Sequence, residues 1–321
     1  MRALQLTAYK TEPTLVTLPD PTPGRNEVLI RVMACGLNFA DLLMIDGSYQ
    51  ERPALPFTLG MELSGVVEAL GPDTEEPAPG TRVAVFAGRG GLADKAVVPA
   101  ARCLPIPDSM PFDEAAAFQI AYGTSHMALT RRASLGPGET LLVLGAAGGV
   151  GLTAVEIGKR LGARVIASAR GAARLARARK AGADHLIDSD DAGLRDALRE
   201  LGGVDVVFDA VGGPAFVEAM RAARPEGRLL TIGYASGEVP QVPANLLLVK
   251  NLSVIGLYWG GYLGFAPKVL HDSLLTLLDW HGKGWLRPHI SHRLPLERAA
   301  EALALLRGRT ATGKIVVTMG G

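Results

Sequence analysis

The sequence predicts an α/β protein whose central part is a doubly wound parallel sheet and whose first third is a separate, mainly β region. Three observations carry that reading. From about Glu139 to Tyr258 short apolar runs alternate strictly with stretches of helical spacing. A glycine-rich turn joins the first of those runs to the first helix. The residues before Pro111 form short β-prone runs broken by Gly and Pro. Six strands joined by helices imply a parallel sheet covered on both faces.

Taken in order, Glu27–Ala34 (EVLIRVMA) reads as a strand, with Pro19, Pro21, Pro23 and Gly24 breaking the chain ahead of it. Leu63–Leu70, Arg82–Phe86 and Ala93–Val98 are further strand-like runs. From Pro111, PFDEAAAFQIAYGTSHMALTRR has the period of one or two helices, with Asp113 and Glu114 in the first turn, where the helix dipole favours acids. The alternation then places strands at Thr140–Leu144, Arg164–Ala169, His185–Ile187, Val204–Asp209, Arg228–Ile232 and Leu252–Tyr258. Helices are expected at Gly149–Leu161, Ala172–Ala181, near Asp191–Leu201 and at Pro214–Arg224. The remainder, Pro267–Gly321, carries two helical stretches and the strands His289–Leu294 and Lys314–Thr318.

Composition bounds the function. The 321 residues are 48% apolar and 20% charged, enough to bury cores in two ordinary domains, so a wholly disordered chain is excluded. A formal net charge of +1 gives no global attraction to nucleic acid or anionic membranes. Two cysteines, Cys35 and Cys103, cannot build a disulfide scaffold or a four-cysteine zinc lobe; they read as buried small apolar groups. The opening MRALQLTAYK lacks signal-peptide features and no run of about 18 apolar residues occurs, so a soluble, cytoplasmic protein is expected.

The segment Leu141–Gly151 (LLVLGAAGGVG) is the most informative. It matches an A-x-G-x-x-G form of the dinucleotide fingerprint, with Ala146 at the first glycine position. Gly148 would let the backbone approach a pyrophosphate, Gly151 would let the helix pack closely on the strand, and the helix N-terminus would offer N–H groups to the anion. Its place between an apolar strand and an amphipathic helix separates it from a chance glycine match. A tight turn without ligand is the alternative. About twenty residues on, where an acid would hold the 2′-hydroxyl of NAD, the chain reads Ala167-Ser168-Ala169-Arg170 with Arg174 beyond. A hydroxyl and two guanidinium groups suit a 2′-phosphate and favour NADPH. The alternative is that both arginines lie on the solvated face of a helix that also carries Arg177 and Arg179.

GLNFADLLMIDGSY (36–49), PFTLGMELSGVVEALG (56–71), LVLGAAGGVG (142–151), DVVFDAVGG (205–213), PANLLLVKNLSVIGLYWGGY (243–262) and ATGKIVV (311–317) together resemble the zinc-independent quinone oxidoreductases of the medium-chain dehydrogenase/reductase superfamily. The motifs recur in one order at one spacing over nearly the whole chain. The resemblance implies a Rossmann domain over residues 121–262. It also implies a chaperonin-10-like, mainly β catalytic domain over 1–120 and 263–321, with the cofactor in the cleft and a homodimer paired through the strand near Leu252–Tyr258. Carried over, Gly148, Gly149 and Val150 would contact the pyrophosphate, and Ser168 and Arg174 the 2′-phosphate. Thr124 would line the nicotinamide and Asn38 its ribose. Val211-Gly212, Ile232-Gly233 and Tyr258-Trp259 would run along the cofactor, and Arg309 or Lys314 would close over it. Ser189 stands where relatives often place a tyrosine against the adenine.

Zinc alcohol dehydrogenases of the same superfamily have a Cys where this chain has Asn38 and a His where it has Met61. Asp41 and Glu62 remain, but carboxylates and a thioether make a poor zinc site, so no metal is expected. His281, His289 and His292 read as surface or interface residues. Without a Lewis acid, hydride addition suits a quinone or an α,β-unsaturated carbonyl, which spreads the developing charge over a conjugated system. Candidate donors are Asn38, Tyr49 and Thr124, with Asp41 orienting one of them or holding a water. Each has a plainer reading: Asn38 as a turn residue, Asp41 as a helix-start acid, Tyr49 as loop packing. The expected function is NADPH-dependent, metal-free reduction of a small quinone or activated carbonyl. Enone or enoyl-thioester reduction, or nucleotide binding with little turnover, are the alternatives.

Overall fold

Every side chain of the strand Thr140–Leu144 is buried, as a continuous apolar run in the middle of a parallel sheet requires. In the computed structural model, which describes residues 1–191 and 193–320, that strand lies inside a six-stranded sheet. Its order is His185–Asp188, Arg164–Ala169, Thr140–Leu144, Val204–Asp209, Ala223–Thr231, Ser253–Gly256. All neighbours are parallel. Leu142, Leu144, Ile166, Val207 and Leu229 of the sheet pack with Leu198, Phe216 and Met220 of the helices Leu194–Glu200 and Gly213–Ala222. Ala192, within the helix expected near Asp191–Leu201, lies outside the described residues. This is the doubly wound sheet the alternation predicts.

Strand order reverses between Thr140–Leu144 and Val204–Asp209, whose residues pair as Leu144 with Asp209. A doubly wound sheet opens its ligand crevice at such a point, beyond the carboxyl ends of the strands. The glycine-rich turn follows one of the two strands and Ala210–Gly213 follows the other. Gly145 has φ +72°, and a Cβ on it would lie 3.0 Å from Val211.

The contacts divide the chain into Met1–Ile120 with Pro288–Gly321, and Ala121–Arg287. The sequence divides it at Tyr262; residues 263–287 instead join the parallel sheet's unit. Helix Pro267–Gly282 buries Leu270, Leu274 and Leu277. Its Ser273 hydroxyl lies 2.7 Å from His126 Nδ1, and its Trp280 meets the His126 ring edge-on. His126 ends the helix Gln119–His126. Burial pushes the His126 pKa down to about 4, so this tie is neutral.

The other unit is mainly β. A seven-stranded sheet runs Ile290–Pro295, Lys314–Thr318, Glu27–Gly36, Glu62–Leu70, Arg82–Phe86, Cys103–Pro105, with Lys95–Pro99 also paired to Glu27–Gly36. A three-stranded sheet holds Thr14–Thr17, Arg2–Leu6 and Phe57–Thr58. Strand Glu27–Gly36 is the spine: Gly36 pairs with Glu62 on one side and Val316 on the other. Cys35 is fully buried and Cys103 half-buried, both as free thiols. No helix among the described residues is long and apolar enough to cross a membrane.

The tightest approach in the glycine turn is at Gly151, where a Cβ would sit 2.1 Å from the Gly145 carbonyl oxygen and 2.8 Å from Ala146 Cα. Both are backbone atoms and cannot swing aside. Gly151→Ala should destabilise the fold by at least about 1–3 kcal/mol, read as a lowered urea midpoint at unchanged slope; an unaltered midpoint contradicts the packing role.

Candidate functional site

Site residues fall into two clusters, one in each unit. In the sheet unit, Thr140–Leu144 runs into Gly145–Gly148 and the helix Gly149–Arg160 begins there. The Ala146 amide donates to the Ser168 carbonyl at 3.0 Å, which ties the turn to the end of the second strand. Gly148 differs from Gly151. It has φ −77°, and its nearest Cβ neighbour would be at 3.4 Å. The protein's own packing leaves room for a side chain there, so the bare backbone at Gly148 is free to meet a ligand. Gly149, Val150 and Gly151 form the first turn, whose N–H groups lack intrahelical partners.

The other strand ends converge on the same edge. Asp209, fully buried, accepts from the Val211 amide at 2.8 Å and the Gly212 amide at 2.9 Å. Burial raises its pKa against the pull of those two N–H groups. Gly212 has φ +75°, a conformation open to glycine. Ile232 and Gly233 follow the strand Ala223–Thr231, and the Ile232 amide donates to the Asp209 carbonyl at 2.8 Å. Tyr258 and Trp259 follow Ser253–Gly256. Trp259 is buried flush against helix Gln119–His126: a Cβ on Gly123 would meet its indole ring at 2.7 Å. Thr124 is the next residue and is buried. Ser125 donates to the Val150 carbonyl at 2.9 Å, and Thr153 to the Ala121 carbonyl at 3.0 Å. The segment carrying Thr124 is thus bolted to the fingerprint helix.

At the second strand's end Ser168 is buried, and Arg170 is exposed and paired with Asp190 at 2.9 Å. Both oxygens of Asp188 lie 3.1 Å from the Gly171 amide, and these N–H bonds hold the carboxylate pKa below its ordinary range. Arg174 lies half-buried on the following helix, Ala172–Lys180.

The β unit holds a buried charged knot. Asn38 is the N-cap of helix Phe39–Ile45, and its backbone amide donates to Asp41 Oδ2 at 2.8 Å. Its side-chain Nδ2 donates to Glu62 Oε1 at 3.0 Å and to the Gly36 carbonyl at 3.3 Å. Lys314 Nζ donates at 2.7 Å to each of the Leu37 carbonyl, Asn38 Oδ1 and Glu62 Oε1. The second Glu62 oxygen accepts from the Ile120 amide at 3.0 Å. Lys314 and Glu62 side chains are 7% and 1% exposed. This overturns two expectations. Both Asn38 N–H donors are used inside the protein, so Asn38 can offer a ligand a lone pair on Oδ1 but no hydrogen. All three Lys314 donors are used too, so its ammonium has none left to close over a cofactor.

Asp41 is fully buried and its Oδ1 has no hydrogen-bond partner. Burial pushes its pKa up to about 7, against the pull of the Asn38 amide, the Lys314 charge and the Gly60 amide. Burial likewise raises the neighbouring Cys35 thiol well above its usual value. Gln119, which the sequence reading passed over, has a buried Nε2 with no hydrogen-bond partner. Tyr49 is half-buried and Arg309 exposed with φ +53°.

Comparison with known proteins agrees with this construction. Residues 24–108 match the alcohol dehydrogenase GroES-like domain and residues 149–278 the zinc-binding dehydrogenase family. Quinone oxidoreductase-like protein 2 of Bos taurus is 39% identical over 319 residues, covering 98% of this chain and 91% of the relative. The human synaptic vesicle membrane protein VAT-1 homolog is 31% identical over 318 residues, 94% of this chain and 81% of the relative. Among solved structures, the Thermus thermophilus quinone oxidoreductase, described also in complex with NADPH, superposes with TM-score 0.88 at 35% identity, covering 99% of this chain and all of that one. The Escherichia coli quinone oxidoreductase complexed with NADPH gives TM-score 0.92 at 26% identity with the same coverage. The fold and these matches define a medium-chain dehydrogenase/reductase. Within that superfamily the chain belongs to the zinc-independent quinone oxidoreductase type.

The family model's name raises zinc, and the residues present do not fit it. The oxygens of Asn38 and Glu62 already surround an ammonium at 2.7 Å, a like charge to any incoming cation. Met61 beside them offers only a thioether.

The Asp41 carboxyl gives a stability signature. The unfolded carboxyl releases its proton near 3.8 and the folded one near 7. Between those values the folded state binds more protons, so stability falls as pH rises through this window and levels off above it. Asp41→Asn cannot titrate, yet its amide oxygen can still accept from the Asn38 amide. The stability of this variant relative to wild type should therefore rise from pH 4 to pH 8, by about 4 kcal/mol at most. Glu156, raised to about 7 by burial, adds a slope of the same sign to both proteins and cancels in the difference. A pH-independent difference in urea titrations would contradict the buried, near-neutral carboxyl.

Proposed function

We propose that this protein is an NADPH-dependent reductase that delivers a hydride to a quinone or similar activated carbonyl acceptor, without a metal. The observation that carries this reading is the pairing of two features: a glycine turn with open space at Gly148, and a catalytic-side cluster closed around an ammonium. Bound NADPH would supply the hydride, two electrons with one proton, and a second proton from solvent or a side chain completes the hydroquinone. The chain's own work is binding and orientation. Gly148, Gly149 and Val150 offer backbone N–H groups to the pyrophosphate. Ser168 and Arg174 face a 2′-phosphate in an end of the sheet that lacks a carboxylate on its second strand. Trp259, locked against Gly123, supports the strand-end edge beside Thr124 and helps exclude water.

With the Asn38 hydrogens occupied, the buried Thr124 hydroxyl, on the unit that carries the glycine turn, becomes the donor for charge developing on an acceptor oxygen. Asn38 Oδ1 keeps one lone pair for a hydroxyl donor. A conjugated acceptor suits this neutral donor, because its developing charge is spread. An enoyl thioester would ask for a basic hollow to hold a nucleotide tail. A hollow of about 590 Å³ in the β unit does carry Lys10, Arg52 and Arg307. Glu12 and Asp46 line it too, and Arg307 lies 3.9 Å from Asp46. Its charges largely cancel, which favours the small acceptor.

Stopped-flow mixing with a small benzoquinone should show quinone-dependent NADPH oxidation that survives chelation; binding without oxidation would instead make this a nucleotide-binding protein. Arg174→Ala should weaken NADPH about 10- to 150-fold while barely changing NADH, the value of one charge-assisted hydrogen bond. Gly148→Ala should weaken both cofactors at unchanged stability. An unaltered NADPH/NADH ratio for Arg174→Ala would remove that residue from the phosphate site.

The assembly proposed is a two-fold dimer. Ser253–Gly256 is the last strand of the parallel sheet, and its outer edge is unpaired among the described residues. On the preceding helix, Ala244–Lys250, Leu248 is 79% and Val249 67% exposed. An open edge flanked by exposed apolar side chains invites a second copy. Light scattering should give twice the chain mass, and Leu248→Glu with Val249→Glu should return it to one; a wild type of single-chain mass at micromolar concentration sinks the proposal.

A further inference from the structure

Resting on the reading of the glycine turn as an NADPH site, we propose that Asp188 is a specificity-determining residue: its carboxylate occupies the Gly171 amide that a 2′-phosphate would use, and so holds back NADPH relative to NADH. Asp188 ends the strand His185–Asp188 and pairs in register with Ala169, the last residue of Arg164–Ala169. A dinucleotide seated on a glycine turn of this kind carries its adenosine ribose to the carboxyl end of that second strand. Two backbone bonds gather the parts along one edge of the sheet. The Ala146 amide of the turn donates to the Ser168 carbonyl at 3.0 Å, and the Ser189 amide donates to the Ala169 carbonyl at 3.1 Å. All of these residues belong to the unit Ala121–Arg287.

Gly171 is the N-cap of the nine-residue helix Ala172–Lys180. A Cβ on it would meet nothing within 4 Å, so the space beside its amide is open, at the end of the helix where the dipole favours an anion. The anion already there is the protein's own. Both Asp188 oxygens lie 3.1 Å from the Gly171 nitrogen, and Oδ1 also accepts from the Asp190 amide at 3.1 Å. These N–H groups hold its pKa below the ordinary carboxylate range, so it is fully charged at neutral pH. Arg170, its neighbouring cation, is engaged by Asp190 at 2.9 Å. A 2′-phosphate has to take the N–H from this carboxylate and bear its repulsion. A 2′-hydroxyl carries no charge and can donate to it, so one side chain penalises one cofactor and accepts the other.

Asp188→Asn removes the charge and keeps an oxygen for the Gly171 amide. In fluorescence titrations it should tighten NADPH about 3- to 10-fold, the scale of one exposed charge acting on a doubly charged phosphate. NADH should bind as in wild type or slightly more weakly, and the NADPH gain should shrink at high salt. In 15N–1H spectra of the variant, the Gly171 amide should move further on adding NADPH than on adding NADH. An unchanged or lowered NADPH/NADH preference overturns the proposal. So does a raised preference in which Gly171 responds equally to both cofactors, because the charge would then act at large rather than at that amide. If the Asn variant melts far below wild type, Asp188→Ser, whose hydroxyl can also accept from Gly171, decides by the same two readouts. A wild type that binds neither dinucleotide overturns this proposal together with the NADPH reading. NADPH lost on Arg174→Ala, with a cofactor preference that Asp188→Asn does not move, overturns the role of Asp188 alone.

Discussion

A buried ammonium has to be surrounded by acceptors, because an uncompensated charge in the interior is too costly to persist. Lys314 meets that demand with oxygens that only the assembled sheet can bring together. Glu62 lies 252 residues from it and Asn38 lies 276. Both approach because Lys314–Thr318 and Glu62–Leu70 flank the two edges of Glu27–Gly36. Even the shape of the spine answers to this knot: a Cβ at Gly36 would sit 2.1 Å from the Ala116 carbonyl and 3.0 Å from Glu62 Oε1. The closed donor set of this cluster follows from one cation being held there, while the raised pKa of Asp41 comes from burial and is opposed by that cation.

The parallel sheet works by a different constraint, steric rather than electrostatic. Its turn must pass from strand to helix in the four residues Gly145–Gly148 while leaving one stretch of backbone bare. Gly145 supplies the positive φ, Gly151 the close helix–strand approach, and Gly148 the open face. The three glycines are alike in sequence and unlike in cause. Two are demanded by the fold, and the third is not, which is why it points to a ligand. Asp209 performs the matching task across the switch point by drawing the Val211 and Gly212 amides back onto the strand end.

The legible parts of this structure are those governed by local pattern. Arg164–Ala169, Val204–Asp209, Arg82–Phe86 and Lys314–Thr318 have the bounds their apolar runs and flanking breakers indicate. Arg2–Leu6 and Thr14–Thr17 escaped because their partners, each other and Phe57–Thr58, define them more than their own residues do. Ala244–Lys250 escaped for the opposite reason: in the apolar run Leu246–Val249 only Leu246 and Leu247 pack against the core, while Leu248 and Val249 are exposed. The site divides in the same way. The fingerprint was readable because its six residues, Ala146–Gly151, are consecutive. The roles of Asn38 and Lys314 were not, since sequence shows which atoms exist but not which are already bonded. Glu62 was visible as a relic of a metal pattern; its partnership with a lysine at the far end of the chain depends on strand register alone. Gly123 carried no signal until Trp259 was seen against it.

The electrostatics at the end of the second strand are more balanced than its arginines suggest. Arg170 and Arg174 bring two positive charges, and Asp188 and Asp190 bring two negative ones close by. Asp190 engages Arg170, while Asp188 engages an amide, Gly171, of the kind that anion sites use. A phosphate arriving there would compete with a carboxylate for that N–H. Cofactor preference in such a site is therefore a difference between an attraction and a built-in competitor rather than a count of arginines. The same logic governs the buried knot around Lys314. There the competitor has won outright, because the Lys314 ammonium already fills the place among the oxygens that any other cation would need.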